Sequence, residues 1–482
     1  MNYKKSGLKE QQRLARSTGG GLLNRIRPRW LLMLSFAAAI VIGTLLLKLP
    51  FATAEGYNTS WVNALFTATS SVCVTGLIVV DTGTHFSLFG QIVVLLLLQI
   101  GGLGIMTLAT FLLLLLGKRL SLRDRAVVRE SLTQIHISDI GSLLKTVLRF
   151  TLLVEGIGTL LLFIRFLFLF VGQPELPLHL AVPKALYFAI FHSVSAFCNA
   201  GFSPYSESLM GFRSDPSMMA IMMTLIVIGG LGFLVVRDLG GWIKSRNSHR
   251  KGPRLMLHTR VVLITSICLL IGGTFVFHAL ESRHTGLDTG RGTGWISALF
   301  LSVTSRTAGF NTVDTAALAN ATKLIVVFLM FIGASPGSCG GGIKTSTFAI
   351  GVALIISRLR GKQHTQIGKR TVPGDIVIKA LGTLTACFFL VVAVTLALTI
   401  TEDRPCGEPP PSFLDLLFEA TSAFGTVGLS AGVTASLSPI GKVLLILTMY
   451  AGRIGPLTLI TAFSTTTAAP KIKYPEENVM IG

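Results

Sequence analysis

Apolar stretches long enough to cross a membrane alternate with short polar or basic segments along most of the chain. About 20 apolar residues are enough for a helix to cross the hydrocarbon core of a bilayer. On that measure the pattern predicts eight full spans: Trp30–Leu49, Phe89–Leu116, Val147–Val171, Met218–Leu239, Val261–Leu280, Lys323–Ile356, Ala380–Ile400 and Gly441–Phe463.

A shorter apolar segment lies between the two spans of each successive pair. The four segments are Asn63–Ser71, Pro183–Phe197, Trp295–Thr304 and Phe413–Phe424. Each is too short to cross a bilayer, so we expect half-helices that enter the membrane and turn back. The chain therefore repeats one unit four times: a span, a re-entrant half-helix and a second span.

Each half-helix leads into a copy of one stretch. The copies are FTATSSVCVTGL (Phe66–Leu77), FHSVSAFCNAGF (Phe191–Phe202), FLSVTSRTAGF (Phe300–Phe310) and FEATSAFGTVGL (Phe418–Leu429), with closing glycines Gly76, Gly201, Gly309 and Gly428. The third copy is one residue shorter than the others. The second spans carry glycine marks in phase with these stretches, IGGLG, IGGLG, IGASPG and AGRIG. Phased repeats predict four quarters around one axis, and the marks predict close helix approach.

Composition decides what such a repeated chain is. With 51% hydrophobic and 13% charged residues and a mean hydropathy of +0.68, it is typical of a polytopic membrane protein. The net charge of +20 does not indicate nucleic acid, because the basic residues occupy separate loops and not one soluble face. Those loops suit anionic lipid headgroups.

The distribution of basic residues predicts the orientation of the chain. Residues 1–29 carry eight Lys and Arg, whereas none lies between Pro50 and Leu88. By the positive-inside rule, the arm and both termini are cytosolic. The predicted segments are the arm 1–29, repeat 1 at 30–116, a linker 117–146, repeat 2 at 147–239, a linker 240–260, repeat 3 at 261–356, a linker 357–379, repeat 4 at 380–463 and a tail 464–482.

We therefore expect an all-α polytopic membrane protein with eight transmembrane helices and four pore half-helices in a pseudo-fourfold arrangement around one pore. Within a bilayer, backbone that is not helical is tolerated only where it lines a watery path or is buried in protein. The unpaired carbonyls of such a backbone can coordinate a dehydrated cation, as rings of carbonyls do in potassium channels. The predicted filter residues are Val74, Thr75, Gly76, Asn199, Ala200, Gly201, Thr307, Ala308, Gly309, Thr426, Val427 and Gly428. For any single copy, a packing or turn glycine is the alternative.

Other functional classes find little support. There is no Walker loop for nucleotide hydrolysis, and no GxSxG, HExxH or paired aspartate at membrane depth for an intramembrane enzyme. The six cysteines have no metal-binding or redox spacing. We expect no enzyme and no resident cofactor, only a transported ion.

The motifs VCVTGL, FCNAGFS, SRTAGFNTVD and FGTVGLS resemble the four selectivity loops of the Trk/Ktr/HKT superfamily of potassium transporters. The resemblance extends from about Trp30 to the C-terminus and is strongest to the membrane subunits of bacterial Ktr systems. It implies potassium uptake across a bacterial plasma membrane, a homodimer with one pore in each chain, and a cytosolic ring of nucleotide-binding regulatory subunits.

The resemblance also bears on selectivity. Glycine stands at all four filter positions, where sodium-selective plant relatives have serine at the first, and this favours potassium. A sodium-selective or non-selective transporter of the same fold is the alternative, and the residues leave sodium coupling open.

An interruption in the second span of the third repeat predicts a gate. Pro336 and the glycines near it, within Gly333–Thr347, cannot sit in a continuous helix without a large cost. The matching segment of the superfamily is an intramembrane gate loop, and a static kink is the alternative. The predicted gate residues are Gly333, Ser335, Pro336, Gly337, Gly340, Gly341, Gly342, Lys344 and Arg453.

Charged side chains near these segments raise further hypotheses. Arg453 lies in the last span, where a charge is costly; the resemblance implies a barrier to cations, while an ion pair with Glu155 or a cluster of carbonyls is the structural alternative. We expect Arg306 to brace the filter backbone. Asp81 and Asp314 either concentrate cations or are solvated loop carboxylates, and the role of Lys344 is open.

Overall fold

The computed structural model describes residues 28–103, 140–172, 177–247, 255–281, 293–403 and 410–455. These residues form helices and one small hairpin. Most of the predicted arm 1–29 and linker 117–146, the centre of the linker 240–260, the tail 464–482, and the far ends of the spans Phe89–Leu116 and Gly441–Phe463 lie outside the described residues.

The first two units follow the predicted order. Their helices are α1 (Pro28–Leu47), α2 (Trp61–Val72), α3 (Thr82–His85) and α4 (Leu88–Gly102), then α5 (Ile140–Val171), α6 (Leu178–Cys198), α7 (Pro216–Leu231) and α8 (Phe233–Asn247). Side-chain oxygens cap several of these helices: Ser60 accepts the Asn63 N–H at the start of α2, and Asp215 accepts the Ser217 N–H at the start of α7. The helix that contains the predicted half-helix of each unit, called its short helix below, is α2 in the first unit and α6 in the second. The short helix α2 packs on α1 and α4, and α6 packs on α5 and α7.

The third and fourth units are built in the same way. Their elements are α9 (Leu257–Glu281), α10 (Thr293–Thr304), α11 (Asn320–Phe331), α12 (Thr345–Leu359), the strands β1 (Gln366–Ile367) and β2 (Arg370–Thr371), α13 (Gly374–Thr401), α14 (Phe413–Gly425) and α15 (Pro439–Ile454). The strands form an antiparallel hairpin in which Gln366 pairs with Thr371. The hairpin lies within the predicted linker 357–379, where no strand was expected.

Contacts between the units form a closed cycle, from the first unit to the fourth and back to the first. The returning helix of each unit packs on the short helix of the next: α4 on α6, α7 on α10, α11 on α14, and α15 on α2. The fourth residue of the returning helix makes a polar contact across three of these boundaries. Lys323 Nζ lies 2.8 Å from Asp415 Oδ1, Lys442 Nζ lies 3.3 Å from Asn63 Oδ1, and Gln91 accepts from the Tyr187 hydroxyl.

The glycine marks lie where helices approach closely. A Cβ atom at Gly101, Gly229 or Gly452 would overlap the carbonyl oxygen near the end of its own unit's short helix, at Val72, Phe197 or Phe424 respectively. The returning helix therefore fits against the short helix only because these positions lack side chains.

By length and apolar composition alone, four helices of the described residues could cross a membrane, or five if α7 and α8 count as one bent span. One of the four is α6, which has 21 residues, whereas sequence analysis predicts only a dip over Pro183–Phe197. Pro183 stands inside this helix without ending it. Outward-facing apolar side chains such as Phe168 and Leu152 are 72% and 66% exposed, as a lipid-facing surface requires.

The span predicted over Met218–Leu239 is not one continuous helix, because α7 ends at Leu231 and α8 departs from it at 99°. Gly232 has φ +82°, and the Phe233 N–H donates to the Gly337 carbonyl (3.1 Å). The Gly229 carbonyl, which would accept that N–H in a continuous helix, accepts from Cys339 instead (3.3 Å). The segment between α11 and α12 thus takes over the hydrogen bonds that would continue α7.

Substituting Gly232 by alanine should destabilise the folded protein by about 1–3 kcal/mol, the usual cost of a positive φ at a residue with a side chain. Its Cβ would also lie 2.6 Å from the Pro336 carbonyl oxygen. The readout is the thermal midpoint in detergent by size-exclusion chromatography. Gly240→Ala in α8, where a Cβ meets nothing within 4 Å, is the control and should not lower it; equal midpoints for the two variants would contradict the assignment.

Candidate ion site

The four predicted filter glycines are neighbours in a closed ring. A Cβ atom placed on one of them would lie 2.9 to 3.2 Å from the Cα atom of the next, in the order Gly76, Gly201, Gly309, Gly428 and back to Gly76. The same Cβ would press on the carbonyl oxygen of the residue before that next glycine: Ala200, Ala308, Val427 and Thr75 in turn. The ring therefore has no room for a side chain at any of its four glycines.

The residue two positions before each glycine has a left-handed backbone. These residues are Val74 (φ +56°), Asn199 (φ +59°), Thr307 (φ +78°) and Thr426 (φ +50°). Positive φ is unfavourable for residues with side chains, above all for β-branched ones. Four such residues at one place in the repeat mark a backbone held in shape by its surroundings.

A hydroxyl residue braces each glycine stretch. Ser70 donates to the Leu77 carbonyl (2.7 Å) and accepts from the Gly76 N–H (3.1 Å). In the other copies, Ser195 donates to the Phe202 carbonyl (2.7 Å), Thr304 donates to the Phe310 carbonyl (2.9 Å), and Ser422 accepts from the Gly428 N–H (3.1 Å). None of these four hydroxyl residues is among the residues predicted from the sequence. The signal was present, because a hydroxyl stands six residues before the glycine in three copies and five before it in the shortened third copy.

The short helices direct their C-terminal ends at the ring. α2 ends at Val72, α6 at Cys198, α10 at Thr304 and α14 at Gly425, each within five residues of its ring glycine. The C-terminal end of a helix carries partial negative charge, which favours a nearby cation. The ring thus combines closely spaced carbonyls with four converging negative helix ends.

The predicted gate segment lies directly against two of the left-handed residues. The Gly341 N–H donates to the Thr426 hydroxyl (3.0 Å), and a Cβ atom at Gly340 would overlap the Thr307 hydroxyl. The Ser335 N–H donates to the Gly230 carbonyl at the end of α7 (3.1 Å). The segment is therefore anchored both to the ring and to the break in the second unit.

Two cationic side chains hold carbonyls of this segment. Lys344 Nζ donates to the Gly340 carbonyl (2.6 Å). The guanidinium of the buried Arg453 donates to the Cys339 carbonyl and also to the Gly101 carbonyl of α4. Arg453 thus joins the gate segment to the first unit, and Lys344 gains the contact that sequence analysis left open.

Of the two structural alternatives for Arg453, the structure has the carbonyl cluster. Glu155, which is 6% exposed, accepts instead from Gln99 Nε2 (3.1 Å) and lies 3.9 Å from the Cys198 thiol. No ion pair joins Arg453 to Glu155 within the described part of the chain.

Asp81 and Asp314 are both engaged in local backbone contacts. Asp81 Oδ1 caps α3 through the Thr84 N–H (2.7 Å), and Asp314 Oδ1 accepts the Ala316 N–H (2.9 Å). Burial lowers the pKa of the neighbouring His85 below its ordinary value, against the opposing effect of Asp81. Both carboxylates thus have a structural role in their loops.

Arg306 does not brace the filter backbone as predicted. Its guanidinium instead reaches α9, where Nη1 lies 3.4 Å from the Ser266 carbonyl and Nη2 3.3 Å from the Ser266 hydroxyl. The side chain therefore points away from the ring towards the first helix of its own unit.

The comparison with known families settles the class of protein. Residues 32–473 match the family model of TrkH, whose description is cation transport protein. The chain belongs to the TrkH family. The resemblance to the Trk/Ktr/HKT superfamily drawn from the four glycine motifs is thereby confirmed.

Relatives of this TrkH-family chain match over nearly their whole length. It is 41% identical over 456 residues to "Ktr system potassium uptake protein B" of Vibrio alginolyticus, covering 94% of each chain. It is 35% identical to "Potassium/sodium uptake protein NtpJ" of Enterococcus hirae, covering 95% of this chain and 98% of that one. The crystal structure of the potassium transporter TrkH from Vibrio parahaemolyticus has a TM-score of 0.66 at 22% identity, covering 92% of this chain and 86% of that one, and so shares the fold.

Membership of the TrkH family makes the chain a multi-pass membrane transporter of cations and not an enzyme, as predicted. The family implies no resident cofactor. Within the described ranges, no cluster of three His, Cys, Asp or Glu side chains is arranged to hold a metal ion.

Replacing Ser70 by alanine should loosen the ring of this TrkH-family protein. It removes two hydrogen bonds of about 0.5–1.5 kcal/mol each, so we expect discrimination among monovalent cations to fall roughly tenfold. The measurement is competition of sodium with rubidium flux into proteoliposomes. Ser71→Ala is the matched control, because its hydroxyl bonds only to the Thr67 carbonyl within α2 (2.7 Å). Unaltered competition in Ser70→Ala would refute the bracing role.

Proposed function

We propose that this chain is the ion-translocating membrane subunit of a potassium uptake system, with the ring of four glycines as its selectivity filter. The observation that carries the proposal is the mutual packing of the four glycines, each against the backbone of the next. Closely spaced backbone carbonyls can replace the hydration shell of a potassium ion. The converging helix ends add negative potential at the same point.

The proposed architecture is eight transmembrane helices and four re-entrant half-helices around a single pore, with both termini in the cytosol. The closed succession of contacts between units supports it, since each returning helix meets the next short helix and the fourth unit meets the first. The proposed boundaries are those drawn from the sequence, with the second unit's last span shortened to end at Leu231.

Potassium is proposed as the transported ion for two reasons. Glycine stands at all four ring positions, and the Vibrio alginolyticus and Bacillus subtilis relatives, at 41% and 38% identity, are named potassium uptake proteins. The Enterococcus hirae relative is named for potassium and sodium, which keeps a less selective transporter as the second candidate. Flux of rubidium in competition with sodium separates the two.

The gate proposed for this pore is the predicted segment Gly333–Thr347, whose residues up to Lys344 precede α12. The position of this segment supports the role. It contacts Thr307 and Thr426, the left-handed residues that precede two of the ring glycines, and its carbonyls accept hydrogen bonds from Arg453 and Lys344. A positive charge beside the path of a cation raises the barrier to that cation. Closure of the path by this segment and electrostatic repulsion of the cation by Arg453 would then both limit the flux.

The proposed partners are a second copy of this chain and a cytosolic ring of nucleotide-binding regulatory subunits. The names of the relatives, which are components of a "Ktr system", support a partner subunit. The hairpin between α12 and α13, with exposed Arg360, Lys362, Lys369 and Arg370, is a suitable cytosolic contact. The proposed location is a bacterial plasma membrane.

Gly76→Ser should abolish potassium uptake in a potassium-requiring bacterial strain. The new Cβ would overlap the Ala200 carbonyl oxygen, and φ at this position is +90°. Gly56→Ser is the control, because Gly56 also has positive φ (+84°) but a Cβ there meets nothing within 4 Å. At equal protein in the membrane, wild-type uptake by Gly76→Ser would refute the filter.

Arg453→Gln should raise rubidium flux into proteoliposomes by roughly tenfold, since a hydrogen bond to a charged group contributes about 1.5–3 kcal/mol and the local positive charge is lost. Lys442→Gln, a neutralisation in the same helix whose amine contacts Asn63, is the control and should leave flux unchanged. Correctly folded Arg453→Gln protein with unchanged or slower flux would remove Arg453 from the gate.

A further inference from the structure

A small cavity lies beside the ring, between the second and third units. Its volume is about 30 Å³. Apolar side chains of α7, α9 and α10 form much of its wall, together with Asn199, Ser266, Arg306 and, from the gate segment, Ala334. A single water needs about 10–15 Å³, so the cavity has room for one small ion or for one or two waters.

The charge that borders this cavity has no equivalent in the other three units. Arg306 stands three residues before Gly309, and the same offset before the other ring glycines carries Cys73, Cys198 and Gly425. Those three residues are small and uncharged. At the position three residues before the ring glycine, only the third unit carries a guanidinium, so a ligand bound to Arg306 would have no counterpart at that position in the other three units.

The hydrogen-bonding capacity of Arg306 is mostly unused. A guanidinium has five N–H donors, and the two contacts to Ser266 are long, at 3.3 and 3.4 Å. Its Nε atom is buried and has no hydrogen-bond partner. Among the described residues, the ion pairs are Arg165 with Asp215 and Lys323 with Asp415, and no carboxylate lies within 4.0 Å of Arg306.

Arg306 is partly buried, and a charge at membrane depth requires compensation. Neutral Ser266 supplies little of it, and the cavity that Arg306 lines has space for a compensating group. We propose that this cavity binds one halide-sized anion, which in a cell is chloride, with Arg306 as its cationic ligand and the Ser266 hydroxyl beside it. The small volume fits a monatomic anion, and the apolar wall strengthens its attraction to the guanidinium.

An anion here would also act on the path of the cation. The cavity borders both Asn199, a left-handed residue next to the ring, and Ala334 of the gate segment. Its negative charge would offset the positive potential of Arg306 close to Gly309. This second consequence rests on the proposed function, whereas the binding of the anion does not.

Bromide is the probe for the site, because it has nearly the chemistry of chloride and scatters X-rays anomalously. Crystals of the intact protein grown in sodium bromide should show an anomalous peak next to the Arg306 guanidinium. Arg306→Lys, which keeps the charge, should retain a peak, and Arg306→Gln should lose it. Arg165→Gln, which removes a guanidinium already paired with Asp215 (2.6 Å), is the control and should keep it. An ordered water without bromide in the wild type overturns the proposal, even if Arg306→Gln does not fold.

A flux measurement tests the consequence for transport. Rubidium uptake by proteoliposomes should be several-fold slower when gluconate replaces chloride on both sides at equal ionic strength, and Arg306→Gln should be insensitive to the exchange. Equal rates in the two anions for the wild type would overturn the link to the pore. Absence of rubidium flux in every anion would instead count against the proposed transport function, and the bromide peak would still report the anion site.

Discussion

The four glycine stretches approach one another so closely that a single Cβ atom at any ring glycine would press on the backbone of the next. This close approach constrains other parts of the structure. The backbone of each unit has to pass through the same point, which requires a left-handed residue two positions before the glycine. It also requires a hydroxyl that joins the glycine stretch to its short helix by a hydrogen bond. Three of the returning helices, α4, α7 and α15, then need glycines of their own to fit behind the short helices of their units.

Irregular backbone within an apolar surrounding has to find hydrogen-bond partners, and here the irregular segments supply them to one another. The break after α7 and the segment between α11 and α12 exchange N–H and carbonyl groups through Phe233, Gly337, Gly229 and Cys339. Two further carbonyls of that segment, those of Gly340 and Cys339, accept from Lys344 and Arg453. A movement of the segment would therefore have to break contacts with the second and fourth units together, which suits a part that has discrete positions.

Much of the local structure could be predicted from the chain alone. The helices α9, α10 and α14 begin and end within about one turn of the predicted segments, because an apolar run and its flanking polar residues define a helix locally. The hypotheses that were wrong concern long-range partners. Met218–Leu239 reads as one apolar span, yet its hydrogen bonds are taken by a segment about a hundred residues away, and Arg306 turns to Ser266 and not to the filter backbone.

The amino-acid sequence by itself determined the family, the four repeats, and the positions of the four ring glycines and of the interrupted helix in the third unit, since these are patterns of residue type along one dimension. Tertiary structure decided which repeat touches which, that the glycines form a closed ring, and that Arg453 holds carbonyls of Cys339 and Gly101 in place of pairing with Glu155. The physical reason is that a hydrogen bond between residues hundreds of positions apart depends on where folding brings them. A local pattern of residues does not identify which distant residues will be in contact.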